Sequence, residues 1–142
     1  MTIVIIDGQG GRVGSQLVKQ LVKELPEAEI LAIGTNSIAT SNMLKAGALS
    51  AATGENAVVV ACRKADIIAG PIGIVLADAL LGEVTPAMAQ AVGRSAATRV
   101  LIPMTRCDTL IAGVENGATG ALLEDAVQKI LSLYQEIGRA HV

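Results

Sequence analysis

The chain reads as an α/β domain, a three-layer, open, mostly parallel sheet of the Rossmann-like kind. Three observations predict this. Short apolar runs alternate with stretches of three- and four-residue periodicity, the pattern of strands joined by crossover helices. The first run, Ile3–Ile6, passes through Asp7-Gly8-Gln9-Gly10-Gly11-Arg12-Val13-Gly14 into a helical pattern, a strand, glycine turn and helix in sequence. Hydrophobic residues make up 51% of the chain without any Trp or Phe, so the core must be Ile, Val, Leu and Ala. Such residues suit parallel strands covered on both faces.

The elements follow in order. Ile3–Ile6 is the first strand, and Leu17, Val18, Leu21, Val22 and Leu25 place a helix over residues 12–25, stopped by Pro26. Glu29–Gly34 is the second strand. Thr35-Asn36-Ser37 offers caps for a helix over Ile38–Ala46, which Gly47 ends. Thr53-Gly54-Glu55-Asn56 reads as a polar turn. Ala57–Cys62 is ambiguous, because three consecutive valines favour a strand. A helix is preferred, since Asp66–Gly70 follows at once as the third strand and parallel strands need a connection.

Gly70-Pro71-Ile72-Gly73 ends that strand in a second glycine-bearing turn, and residues 74–82 form a short helix or an extended piece. Thr85-Pro86 is a cap followed by proline in the first helical position, opening a helix that runs to about Ser95. Arg99–Pro103 is the fourth strand and Thr109–Gly113 a short fifth. Glu115-Asn116-Gly117 turns the chain. A last helix from about Thr119 sets Leu122, Ala126, Val127, Ile130, Leu133 and Tyr134 on one side.

A length of 142 residues fits one domain with a real core, expected over residues 1–135. The last seven residues, Glu136–Val142, back-translate into something resembling a common sequencing adapter read in frame. Residues 136–142 are therefore expected to be a non-native or disordered tail, and His141, the only histidine, is given no role.

Composition narrows the function. A formal net charge of −2 and the lack of any basic run exclude the electrostatic footprint of a nucleic-acid binder. The missing aromatics remove the stacking platforms for single strands. Ile67–Leu81 is interrupted by Pro71, glycines and Asp78, and falls short of the roughly 20 apolar residues of a membrane span. No signal peptide is apparent, and a cytoplasmic location is expected. Only 17% of residues are charged, which leaves little polar cover and suggests a homo-oligomer, in the simplest case a dimer. Cys62 and Cys107 form no CxxC pair, so no metal is expected.

The glycine turn carries the functional signal. Gly8, Gly11 and Gly14 fit GxxGxxG, while Gly8 and Gly10 begin a GxGxxG whose third glycine is replaced by Val13. Such a loop gives a tight turn, lets a diphosphate approach the backbone, and aims amide N–H groups at it. The expected cofactor-binding residues here are Gly8, Gln9, Gly10, Gly11, Arg12, Val13 and Gly14, with the planar fork of Arg12 adding charge. Asp7 either repels a diphosphate or holds a cation or a ligand hydroxyl. Equally, the glycines fit a purely structural tight turn.

After the second strand, a domain specific for NAD usually has an acidic residue for the ribose. Thr35, Asn36 and Ser37 stand there instead, able to bond a ribose or a 2′-phosphate, or simply to cap the helix. No arginine accompanies them. The cofactor is therefore open, NADP or another nucleotide, and the partner is a small phosphorylated ligand. Gly70 and Pro71 are added because open α/β sheets bind ligands at the carboxyl ends of their strands. Thr53, Gly54, Asn56, Glu83 and Thr85 fall under the same rule with less support.

Catalytic equipment is sparse. There is no Tyr-x-x-x-Lys pair, no GxSxG elbow and no GxxxxGK[ST]. Asp66 and Asp78 lack partners at diagnostic spacing, and Cys107 beside Arg106 is a candidate thiolate set against ordinary packing. No catalytic residue is assigned.

The glycine turn resembles that of the dihydrodipicolinate reductase family over about the first 25 residues. The reductase's catalytic segment and substrate domain have no counterpart, so the resemblance implies a nucleotide loop and not the activity. Across nearly the whole chain, Ile3–Gly14, Gly34–Thr40, Ala52–Asn56, Gly70–Ile74 and Gly82–Ala89 resemble the motifs of a family of short, uncharacterised bacterial Rossmann-like proteins, a domain of unknown function. That resemblance implies that these loops are the working parts. Two functions fit the sequence: a nucleotide-binding protein using the N-terminal loop, or a non-enzymatic assembly or regulatory subunit whose glycines only allow close packing.

Overall fold

The structure is a computed structural model that describes residues 1–103, 109–115 and 119–140. Its first strand, β1 (Thr2–Asp7), is buried on both faces because Ile3 and Ile5 point to one side and Val4 and Ile6 to the other. The chain then runs through helix α1 (Arg12–Glu24), strand β2 (Glu29–Gly34), helix α2 (Ser37–Lys45), strand β3 (Ser50–Thr53) and helix α3 (Glu55–Lys64). Strand β4 (Ile67–Pro71), a 3-10 turn (Ile72–Val75), helix α4 (Pro86–Arg94), strand β5 (Thr98–Ile102) and helix α5 (Thr119–Ala140) complete it.

Among the described residues the sheet has the order β3-β2-β1-β4-β5, and every pairing is parallel. One core cluster joins Ile3 and Ile5 to Leu17, Val18 and Leu21 of α1, Met43 of α2 and Val127 and Ile130 of α5. The other joins Val4 and Ile6 to Val58 and Cys62 of α3 and to Met88 and Val92 of α4. The sheet is thus the middle of three layers, the Rossmann-like arrangement read from the sequence. Removing a buried side chain such as Leu17 would cost about 2–5 kcal/mol.

Local signals account for most boundaries. Thr85 caps α4 by accepting the Met88 N–H at 3.1 Å, with Pro86 in the first turn. Asn36 caps α2 by accepting the Ala39 N–H at 2.9 Å. The ambiguous valine run lies within α3, whose first residue is Glu55, so the expected polar turn is a helix start.

Two strand assignments need correction. Thr109–Gly113 is not a strand: Leu110 is exposed, Gly113 has φ +84°, and the Val114 N–H bonds the Ile111 carbonyl across a turn. The strand that the sequence did not predict is β3, Ser50–Thr53, an exposed edge of small residues beside β2. Its alanines lack the bulk that marks a strand in sequence. At the other end, α5 continues through residues 136–140, with Ile137 packed on the core and Gly138 beside Met1. Of the segment expected to be a non-native or disordered tail, residues 136–140 are helical. Cys107, Arg106, Asn116, Gly117 and His141 lie outside the described residues.

Candidate functional site

The strand order reverses between β1 and β4, because the chain builds outward through β2 and β3 before returning to β4. Open α/β sheets form a crevice at the carboxyl ends of such strands. A cleft of about 700 Å³ lies there, lined by residues 7–13 on one wall and by Pro71 and residues 76–81 on the other. The glycine turn is therefore placed where the sequence put it, at the end of β1 and the start of α1.

Its amides divide into two sets. Asp7 is buried at the end of β1, and its carboxylate accepts the Gly8 N–H at 2.8 Å and the Gly14 N–H at 2.7 Å. It caps the first turn of α1 from inside the fold. Burial pushes the Asp7 carboxyl above its usual range; the two amide bonds pull the other way, and the nearby Glu83 adds to the rise. Gln9 N–H is also engaged, donating to Glu83 Oε1 at 2.8 Å. The N–H groups of Gly10, Arg12 and Val13 make no hydrogen bond among the described residues. These belong to the loop and to the first two residues of α1, where orphan amides and the helix dipole favour an anion.

The glycines divide likewise. A Cβ on Gly11, at φ +69°, would stand 2.9 Å from Ala39 Cα, so glycine lets α1 meet α2. A Cβ on Gly14 would stand 2.8 Å from Asp7 Cβ, and one on Gly8 would strike Thr35 and, at 2.8 Å, Leu80. Internal packing accounts for all three. Gly10 has open space around it and an ordinary φ. Its carbonyl accepts from Asn42 Nδ2 at 2.9 Å, which pins the loop to α2.

The other expected residues separate from the cleft. Thr35 Oγ1 and Asn36 Nδ2 both donate to Glu83 Oε1 at 2.7 Å, and Asn36 Nδ2 also donates to the Gln9 carbonyl at 2.9 Å. Neither residue lines the cleft, and Ser37 is exposed at the start of α2. Pro71 lines the cleft, whereas Gly70 is buried in β4, where a Cβ would collide with the Ile6 carbonyl oxygen of β1. Thr53 meets Thr40 at 2.6 Å at the sheet edge, and Thr85 donates to Glu55 at 2.6 Å. Arg12 is exposed and makes no hydrogen bond or ion pair among the described residues.

Apart from Pro71, sequence reading missed the far wall. Residues 76–84 fold into a knot of turns in which Asp78, Leu80 and Leu81 take φ of 67°, 56° and 57°, followed by Gly82 at 88°. The Asp78 and Val84 N–H groups bond the carbonyls of Val84 and Ala79, which close the knot. The available signal was Gly82-Glu83, a glycine and a carboxylate after an apolar run. Burial pushes the Glu83 carboxyl up, but the bonds from Gln9, Asn36 and Thr35 outweigh it and hold the group below the ordinary glutamate range. Among the described residues no three His, Cys, Asp or Glu side chains form a metal-holding group, and no helix is long and apolar enough to cross a membrane.

Fold and crevice together define a Rossmann-like α/β domain with a glycine turn at its switch point. Residues 2–135 match the model of a domain of unknown function, DUF3842, and the chain belongs to that family. No curated protein matches it. Among solved structures it is similar to a dodecameric FMN-dependent Ubix-like decarboxylase from Escherichia coli O157:H7. The identity is 15% and the TM-score 0.47, over 92% of this chain and 75% of that one.

Proposed function

We propose that the crevice between β1 and β4 binds a phosphorylated nucleotide of mononucleotide size. Its phosphate would be held by the N–H groups of Gly10, Arg12 and Val13 and by the Arg12 guanidinium. The observation that carries this reading is the juxtaposition of three unpartnered amides with a cleft of about 700 Å³ at the switch point. That volume falls within the usual range for small-molecule sites. Leu76–Leu81, apolar apart from Asp78, would face the base or another flat group, away from the phosphate. While Glu83 holds Thr35 and Asn36 it would repel a 2′-phosphate, so NADP is the poorer candidate in this closed arrangement. A cytoplasmic homo-oligomer remains the proposed setting.

A second reading has its own observation. Packing alone accounts for Gly8, Gly11 and Gly14, as an assembly or regulatory subunit with a structural turn would require. Native mass spectrometry and calorimetry against FMN, ATP, NAD(H) and NADP(H) separate the two. Binding of a mononucleotide that Gly10→Glu abolishes, with an unchanged melting temperature, supports the first. Failure of the whole panel, alongside a stable complex with a cellular partner, sinks it in favour of the second.

A further inference from the structure

The donors at the end of β2 already surround an anion that belongs to the protein. Gln9 N–H, Thr35 Oγ1 and Asn36 Nδ2 converge on one oxygen, Glu83 Oε1, at 2.8, 2.7 and 2.7 Å. They come from the glycine turn and the β2–α2 connection, while Glu83 comes from the end of the turns that precede α4. To reach them, the chain crosses Gly8 so closely that a Cβ there would stand 3.0 Å from Glu83 Oε1. The carboxylate is thus a strut that ties the segment before α4 to the glycine turn and to the β2–α2 connection. The segment that carries it holds three non-glycine residues in the left-handed region. Such residues are strained and persist where surrounding contacts hold them. Leu81 in this segment is 96% exposed, so the core does not hold its tip.

We infer that Glu83 is an autoinhibitory stand-in for a ligand oxyanion, closing the β2 half of the crevice until a phosphate ester competes for Gln9, Thr35 and Asn36. Three converging donors suit a phosphate oxygen as well as they suit a carboxylate oxygen. While the strut is closed, a ligand on the glycine turn is confined to the β1–β4 side. When it opens, a diphosphate can span both halves. The inference rests on the crevice being an oxyanion site, but it concerns a different donor set from Gly10, Arg12 and Val13.

Inorganic pyrophosphate is the probe, followed by amide and side-chain NMR on the full chain as wild type, Glu83→Gln and Glu83→Ala. Loss of the internal anion should lower the pyrophosphate concentration needed to shift Gln9 and the Asn36 side-chain amide by at least ten-fold in Glu83→Ala. Glu83→Gln, which keeps the shape without the charge, should fall between. Equal or weaker response of those signals in both variants overturns the inference. Shifts at Gly10, Arg12 and Val13 report separately on the nucleotide reading. Their absence in all three proteins sinks that reading, and a ten-fold gain confined to Gln9 and Asn36 would still support the strut.

Discussion

Two neighbouring glycines of one turn should respond very unequally to the same substitution. In Gly11→Ala the new methyl would stand 2.9 Å from Ala39 Cα, 3.0 Å from its carbonyl oxygen and 3.2 Å from its Cβ. Two of those atoms are backbone of α2, so the conflict can be relieved only by parting the helices. The residue also sits at φ +69°, which costs an L-residue roughly 1–2 kcal/mol. Overpacking of this kind adds about 1–3 kcal/mol. The expected loss is about 3 kcal/mol, or a melting temperature lower by on the order of 10 °C. Gly10→Ala has open space and an ordinary φ, so its stability should stay within about 1 kcal/mol of wild type. Urea and thermal unfolding of the two variants, side by side, give the comparison. If both melt together near the wild-type temperature, the packing argument for Gly11 is wrong. If both collapse, the loop is tighter around Gly10 than its surroundings indicate.

Other outcomes follow from the same contacts. Asp7→Asn keeps one acceptor and turns an NH₂ toward the Gly8 or Gly14 N–H, so it should lose about 1–3 kcal/mol in denaturant titration. Since the Asp7 carboxyl is raised by burial, its contribution is fully present below the ordinary aspartate value of 3.8 and is lost as pH rises through its higher folded value. Wild-type stability relative to Asp7→Asn should therefore decline across that interval. Glu83 has the opposite sign. Its contribution is present above the ordinary value of 4.5 and is lost as pH falls through its lower folded value. Protection of the Gln9 N–H against hydrogen exchange, relative to its intrinsic rate at each pH, should fall there in wild type and not in Glu83→Ala. Burial pushes the Cys62 thiol up to about 11, so alkylation at pH 8 should leave it intact until the protein is unfolded.

The sheet and its layers were legible because β1 and β4 are apolar on both sides and the helices between carry clean stripes or caps. Thr85-Pro86 is the clearest case, a start signal that the structure uses as written. Ser50–Thr53 was not legible, because an edge strand of small, exposed residues has no core face to impose alternation. Thr109–Gly113 misled for the converse reason, since a brief apolar run looks the same whether or not it finds a partner strand. At the crevice, local sequence located the glycine turn but not which amides it leaves free. That depends on Asp7 folding back seven residues onto Gly14 and on Glu83 arriving from 74 residues away at Gln9. Contacts of such separation leave no periodic trace. Glu83 was named as a weak candidate from its position before α4; its partners could come only from the topology.

Gly70 sets how any ligand chemistry at this fold could be enlarged. Because a Cβ on Gly70 would meet the Ile6 carbonyl oxygen, β4 and β1 are joined through main chain one residue short of the Pro71 that lines the cleft, a floor that no larger side chain can enter. The opposite rim, from Leu76 to Leu81, is built of side chains on a looped ribbon that no sheet bond restrains. Variants selected for bulkier or smaller guests should therefore accumulate changes along that rim, while the floor stays as it is.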